Sequence, residues 1–298
     1  MRIDVALATC AVLPEPDADM EPLLEAVRDA GLRVEPLAWD ALNADFASAR
    51  LTVLRSTWNY PEHPAEFLAW VQRVARVTTL CNPPEVVRWN AHKSYLLDLQ
   101  ARGVPVVPTR VVRRGDVVHL ADVMTEHGWR DARDVVVKPA VSAGSRDTLR
   151  VRPGDVERGE AHLRALAARE DVLVQPYLPS VEGHGERAIV CIDGAPTHAV
   201  RKSPRFFGDA ESVSAAVPIA PDEAALAHRA IAAAVAAVPA AGVSTDDVPL
   251  LYARVDVARG DDGAPVLMEL ELIEPSLFFA QSPRALAQYV AALGRRLR

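Results

Sequence analysis

Two short stretches near the C-terminal end carry charged residues at alternate positions. In Leu251-Tyr252-Ala253-Arg254-Val255-Asp256-Val257, the period-two geometry of a strand puts Arg254 and Asp256 on one face. In Val266-Leu267-Met268-Glu269-Leu270-Glu271-Leu272, Glu269 and Glu271 share a face and apolar residues fill the other. Gly260-Asp261-Asp262-Gly263 between them reads as a hairpin turn. The paired strands then aim three carboxylates, Asp256, Glu269 and Glu271, at one point, where like charges repel strongly unless a cation sits between them. Hard divalent ions take oxygen ligands, and Mg²⁺ favours a few carboxylates together with substrate phosphates. A half-exposed hairpin with a solvated acidic face fits the same pattern, although the Arg on the neighbouring strand weighs against it.

A second constellation centres on Lys138. Asp134-Val135-Val136-Val137-Lys138-Pro139 reads as a buried strand ending in a lysine, and an ammonium buried without a partner is costly. The next residues, Ala140-Val141-Ser142-Ala143-Gly144-Ser145-Arg146-Asp147, are small and hydroxyl-rich, so their backbone N–H groups can approach phosphate oxygens. The alternative is an edge-strand lysine reaching water ahead of an ordinary turn. No G-x-x-x-x-G-K-[ST] occurs, which disfavours a P-loop NTPase. Leu173-Val174-Gln175-Pro176-Tyr177-Leu178-Pro179 is an apolar strand stopped by two prolines. Backbone groups exposed there beside apolar side chains suit a flat heterocycle; a plain domain hinge is the simpler reading.

Alternating elements must position these groups. A strand at Val5–Thr9, a helix at Glu21–Ala30 stopped by Gly31, a strand at Leu32–Trp39, a strand at Arg50–Arg55 and a helix at Pro64–Val77 predict a parallel open sheet over about the first 85 residues. Ligands sit beyond the carboxyl ends of such strands, where Thr9-Cys10 and Arg55-Ser56-Thr57 fall. Asn82-Pro83-Pro84 breaks the chain and marks a domain boundary. A helix over Val86–Ala101 follows, ending at Gly103. Beyond it come β-rich runs at Val104–Val112, Val135–Lys138, Leu173–Tyr177, Ala188–Ile192, Thr197–Arg201, Tyr252–Val257 and Val266–Glu271. Helices near His119–His127, Val156–Ala168 and Pro221–Val238 interrupt them, as in an α+β domain with antiparallel sheets.

Composition sets the outer limits. The 298 residues are 50% hydrophobic and 24% charged, which excludes a disordered, collagenous or coiled-coil chain. A net charge of −7 leaves no global basic field for nucleic acid. Cys10, Cys81 and Cys191 are odd in number and far apart, neither a disulfide framework nor a zinc pattern, so they read as buried thiols in a reducing cytosol. The first residues read as a strand rather than a signal peptide. The longest apolar stretch, around residues 230–241, is too short to span a bilayer and reads as a buried helix. The expectation is a soluble cytoplasmic protein with no membrane partner, and with room for a homo-oligomer.

Taken in order, Lys93, Val136-Val137-Lys138-Pro139, the small-residue loop, Gln175-Pro176-Tyr177-Leu178, Arg201-Lys202, Arg254-Val255-Asp256 and Glu269-Leu270-Glu271 resemble the ATP-grasp superfamily across essentially the whole chain. The resemblance implies an α/β and α+β architecture: an ATP-grasp fold behind an N-terminal parallel-sheet domain, as in glutathione synthetase-like ligases. It divides the chain into a substrate-side domain (1–85), a central subdomain with phosphate loop and adenine hinge (86–178) and a C-terminal subdomain with the metal site (179–298). ATP and Mg²⁺ are the implied cofactors. Lys93 and Lys138 then resemble the phosphate-holding lysines, and Ser142, Ala143, Gly144 and Ser145 the loop that closes over them. Gln175, Tyr177 and Leu178 resemble the adenine hinge, and Glu182 is the candidate for the ribose hydroxyls, with Glu186 close by. Arg201, Lys202 and Arg254 stand where the transferring phosphate or acyl phosphate is met, and Asp256, Glu269 and Glu271 where the metal is bound.

Two departures stand out. Glu271 occupies a place often held by Asn, and Glu186-Arg187-Ala188 lacks the acid-x-Arg of glutathione synthetase-like enzymes, which speaks against a glutathione-type substrate. Ser56-Thr57-Trp58-Asn59-Tyr60, Asn82–Asn90 and Met268–Leu277 more closely resemble a bacterial subgroup that includes the O-ureido-D-serine cyclo-ligases of D-cycloserine biosynthesis. The implied activity is ADP-forming ligation: a carboxyl or carbonyl group of a small amino-acid-like substrate is activated as an acyl phosphate for attack by nitrogen, in the cyclising version from the same molecule. Arg55, Ser56, Thr57, Trp58, Asn59 and Tyr60, at a strand end, are the candidates for binding this zwitterion; packing of a domain interface by Trp58 and Tyr60 is the alternative. A ligase joining two separate substrates and a nucleotide-binding regulatory module without ligase activity are the rival functions. The regulatory module is disfavoured because all three acids are present.

Overall fold

The computed structural model describes residues 2–129, 134–203, 212–238 and 250–298. Along residues 3–81 the elements are β1 (Ile3–Thr9), α1 (Met20–Asp29), β2 (Val34–Ala38), β3 (Ala49–Ser56), α2 (Pro64–Val74) and β4 (Thr79–Cys81). The four strands form the expected parallel sheet, in the order β2-β1-β3-β4. β1 and β3 are buried along most of their length because both faces of the sheet are covered. Val5 and Leu7 pack with Leu23, Leu24 and Val27 of α1, whereas Ala6 and Ala8 pack with Phe67, Trp70 and Val71 of α2.

Beyond the prolines, the single helix expected over Val86–Ala101 is two, α3 (Pro84–Asn90) and α4 (Tyr95–Ala101). The break has a local cause. The Lys93 N–H donates to the carbonyl of Ala140 in a distant segment, and the His92 ring bonds Ser94. The central elements are β5 (Arg110–Val112), α5 (Leu120–Glu126), β6 (Val135–Pro139), β7 (Leu149–Val151), α6 (Val156–Ala167) and β8 (Val172–Pro176). They form an antiparallel sheet in the order β5-β8-β6-β7, packed against α5 and α6. Of the run expected at Val104–Val112 only the last three residues are strand; Val106 makes an isolated bridge to Leu267.

The remaining elements are α7 (Ser180–Gly183), β9 (Glu186–Ile192), β10 (Ala195–Lys202), β11 (Val213–Val217), α8 (Pro221–Ala237), β12 (Tyr252–Arg259), β13 (Pro265–Glu271) and α9 (Pro283–Arg296). The sheet order β11-β10-β9-β12-β13 is antiparallel throughout. Leu226, Ala227, Ala230, Ile231 and Ala234 of α8 pack in the core that covers one face. The apolar stretch at 230–241 is therefore helical as far as Ala237, and residues 239–241 lie outside the described residues. Among those described, no helix is long and apolar enough to cross a membrane.

The C-terminal α9, for which the sequence reading made no provision, returns to the first sheet. Its Tyr289, Ala292 and Leu293 complete the core around Val5, Leu23 and Val27. Two asparagines tie the inter-domain segment to the third sheet. Asn82 donates to Tyr252 O and Leu272 O and accepts from Leu251 N, and Asn90 donates to Leu270 O and accepts from Leu272 N.

Candidate active site

Strand register builds one charged face. Lys202 lies opposite Glu186, Asp256 opposite Glu269, and Arg254 opposite Glu271. Lys202 Nζ donates to Glu186 Oε1 at 2.8 Å and to Asp256 Oδ2 at 2.9 Å. Arg254 holds Asp256 through Nε and Nη2, both 2.9 Å from carboxylate oxygens, and its Nη2 also bonds Glu271. Lys93 lies 2.6 Å from Glu269 Oε1 and donates to Ser142 O at 2.9 Å. In this arrangement each of the three acids Asp256, Glu269 and Glu271 is engaged by a cation of the protein, Arg254 or Lys93. Arg201 is placed apart from this face. Alternation turns it to the face opposite Lys202, where its Nη2 donates to the carbonyls of Glu182 and Gly183.

The electrostatics follow from burial and pairing. Burial alone would raise Asp256, but Arg254 and Lys202 outweigh it and hold the carboxyl well below its usual range. Burial disfavours the Lys202 ammonium, yet Asp256 and Glu186 raise its pKa. Glu271 is pushed up to about 7 by burial, with Arg254 opposing and Asp256 and Glu269 adding to the rise. Such a crowd of hard oxygen donors suits Mg²⁺, which needs few protein carboxylates when phosphates complete its shell.

Residues of both antiparallel sheets line a cavity of about 170 Å³ that opens to solvent. Val107, Val136, Leu178, Val181 and Met268 give it apolar walls; Lys93, Lys138, Lys202, Glu186 and Glu269 give it charge. Lys138 is the distinctive member. Burial lowers its pKa, with Glu269 opposing and Lys93 reinforcing. No described residue hydrogen-bonds or ion-pairs with its ammonium. Ser142 and Ser145 border the same cavity, with Ala143 and Gly144 between them, and the chain turns through left-handed backbone at Gly144 (φ 59) and Ser145 (φ 58). Gln175, Pro176, Tyr177 and Leu178 line it as well, and Gln175 Nε2 donates to Thr109 Oγ1. Of the two acids considered for a ribose, Glu186 borders the cavity, while Glu182 accepts from the Tyr177 hydroxyl and from Arg150.

The stretch 55–60 is placed otherwise than expected. Arg55 is 0% exposed. Its Nη1 donates to Pro275 O at 2.8 Å, its Nη2 reaches Asp17 and Asp19, and its remaining nitrogen, Nε, is buried as well. β3 runs one residue past Arg55, so the guanidinium stays inside instead of emerging over a crevice, which corrects its assignment to the substrate. Ser56 and Thr57 are also fully buried. Trp58 Nε1 donates to Glu274 O, Asn59 links Trp39 to Asp40, and Tyr60 stacks on Phe67. Arg55 and Trp58 thus tie the first sheet to residues 274 and 275, while Asn59 and Tyr60 bond and stack within residues 39–67.

Sequence reasoning missed several participants. Asp19 precedes α1 and has the residue type of a helix cap, yet its carboxylate makes no cap bond. It accepts instead from the N–H groups of Leu277, Phe278 and Phe279. Arg150 lies 3.6 Å over the Tyr177 ring and bonds Asp134 and Glu182; its place in the short strand Leu149–Val151 gave no signal. Glu274, pushed up to about 8 by burial and by Glu271, was visible only as part of a longer motif.

Comparison with known proteins adds the following. Residues 5–82 match the family model described as D-cycloserine synthetase DcsG, N-terminal domain. The cycloserine biosynthesis protein DcsG of Streptomyces lavendulae is 39% identical over 300 residues, covering 99% of each chain. The crystal structure of D-cycloserine synthetase DcsG superposes with a TM-score of 0.89 at 38% identity over 99% of both chains. The ATP-grasp ligase PsnB, solved with a phosphomimetic variant of its minimal precursor, Mg and ADP, shares the fold at TM-score 0.64 and 17% identity, with all of both chains covered.

Proposed function

The chain belongs to the DcsG family of ATP-grasp ligases and is an ATP-dependent ligase, and from that premise we propose that it closes O-ureido-D-serine into D-cycloserine. A carboxylate is a poor electrophile. Transfer of a phosphoryl group from ATP makes its oxygen a leaving group. The substrate's own oxygen-bound nitrogen then attacks the acyl phosphate, phosphate leaves, and a five-membered ring closes. The carbamoyl group on that nitrogen departs with water as carbamic acid, so the atoms balance.

The observation that carries this reading is the cavity in which Lys93, Lys138 and Lys202 meet Glu186 and Glu269 between apolar walls. In our reading Lys93 and Lys138 hold phosphate oxygens as charge-assisted donors. Ser142, Ala143, Gly144 and Ser145 cover them, which keeps water from the acyl phosphate. The adenine lies along Gln175, Tyr177 and Leu178 against Val136 and Met268, and Glu186 rather than Glu182 faces the ribose. Lys202 and Arg254 stabilise the charge that develops on the transferring group. Asp256, Glu269 and Glu271 would hold Mg²⁺, which would supply neutralisation of the charge that develops on the phosphates. Residues 1–85 furnish the substrate side, completed by α9, and the segments 86–178 and 179–298 furnish the two walls of the nucleotide cavity.

The test is ADP release with O-ureido-D-serine as sole organic substrate, with product mass measured in parallel. One D-cycloserine per ADP is expected. ADP release that requires a second, separate amine would replace cyclisation by ligation of two substrates.

A further inference from the structure

Four segments meet at the Tyr177 end of the cavity. In the central sheet Val136 lies opposite Arg150 on one side and opposite Gln175 on the other. Directly opposed residues share a face, and Val136 and Gln175 line the cavity, as does Thr148, two residues before Arg150. Arg150 thus belongs to the cavity face of β7. Its Nε donates to Asp134 Oδ2 at 2.5 Å, its Nη1 donates to Glu182 Oε1 at 2.7 Å, and its guanidinium carbon lies 3.6 Å from the centre of the Tyr177 ring. Tyr177 closes the circuit. Its hydroxyl donates to the same Glu182 oxygen at 3.0 Å, and its N–H donates to Asp134 O at 2.8 Å. The side chain is therefore held through its backbone, its hydroxyl and one face of its ring, and it packs with Val107, Leu178 and Val181 beside Val136 and Met268.

The torsion that turns an aromatic ring is broad unless neighbours fix it. A guanidinium can stack on the ring and donate to two carboxylates at once, because it is a planar fork; an ammonium cannot. We propose that Arg150 is a positioning residue for nucleotide binding, which fixes the Tyr177 ring as a preformed wall for the adenine. This rests on the ligase reading above, in which the adenine lies along Tyr177. A wall fixed beforehand needs no ordering when the base arrives, so its contribution appears in affinity. Glu182 is then the strut between Arg150 and the Tyr177 hydroxyl, on the C-terminal side of the cavity.

The experiment is a double-mutant cycle on the full chain: wild type, Arg150→Met, Tyr177→Leu and the two changes together, with Arg150→Lys as a second single variant. Calorimetry gives the Kd of a non-hydrolysable ATP analogue for each, and thermal melts report which variants fold. Arg150→Met should weaken the analogue by about fivefold or more, the scale of a lost cation–π contact at a part-buried site. Arg150→Lys should lose nearly as much, since it keeps the charge without the fork, and it carries the test if Arg150→Met does not fold. With Tyr177→Leu already in place, the change at Arg150 should cost little further affinity, because the ring it positions is gone. In steady-state ADP release the ATP KM should rise by more than kcat falls, and the KM of O-ureido-D-serine should stay near wild type. An unchanged Kd in Arg150→Lys and Arg150→Met, or losses that simply add in the double variant, would overturn the positioning role, and ADP release by wild type would leave the ligase reading intact. If the two changes are coupled but wild type releases no ADP with O-ureido-D-serine, the role of Arg150 stands and cyclisation falls. If wild type binds no nucleotide, both fall.

Discussion

The Lys93 ammonium and a Glu269 carboxylate oxygen are 2.6 Å apart, joining the turn between α3 and α4 to β13. Both side chains border the cavity proposed for the nucleotide, and the Lys93 residue is 8% exposed. This pair gives Glu269 two separable duties, one toward the proposed metal and one toward a buried cation.

Glu269→Gln should therefore abolish ADP release, by at least about a hundredfold as for loss of a principal charge-stabilising group, while keeping a hydrogen bond to Lys93. Glu269→Ala should lose turnover and also melt at a lower temperature, because it leaves the Lys93 charge unpaired. ADP assays beside thermal melts check both. Full turnover by Glu269→Gln with Mg²⁺ present would remove this residue from the metal site.

Lys138 has the opposite setting, a lysine with no protein partner among the described residues and a pKa lowered by burial. Replacement by Met should weaken ATP binding by about tenfold or more, the value of a charge-assisted bond. The sign of the pH effect follows from the direction of the shift. Only the protonated ammonium attracts phosphate, so affinity is full below the lowered pKa and is lost as pH rises through it, earlier than for an ordinary lysine. ATP titrations across alkaline pH should show this fall in wild type and a flatter profile in Lys138→Met.

For Arg55 the structure turns the expectation toward stability. Arg55→Met removes the donor to Pro275 O and the cation facing Asp17 and Asp19, a loss of roughly 3–5 kcal/mol for a broken buried pair. Arg55→Lys should recover only part, since an ammonium cannot copy the planar fork. Chemical denaturation measures both. The KM values for ATP and for the amino-acid substrate should change little in whatever fraction remains folded. A selective rise in substrate KM would return Arg55 to the substrate site.

Local pattern was enough for much of this protein. Period two determined that Arg254 and Asp256 share a face and that Glu269 and Glu271 do, and the apolar runs at Val5–Thr9 and Val135–Val137 determined strands buried on a covered sheet. Prolines and glycines marked most element ends. The order of the short motifs identified the ATP-grasp fold. These features are legible because they depend on the backbone geometry of neighbours a few residues apart.

What the sequence could not determine is which distant group meets each side chain. Arg55 ends an apolar run, and nothing nearby announces that Asp17, Asp19 and Pro275 O will enclose it. Asp19 has the residue type of a helix cap, but three N–H groups from the far end of the chain provide more donors than the first turn of α1. Lys202 and Arg201 are adjacent, and only the register of β10 against β9 sends one to the acids and the other to the outer face. α9 is an ordinary amphipathic helix until tertiary packing seats it on the first sheet, because its apolar stripe specifies burial without naming a partner.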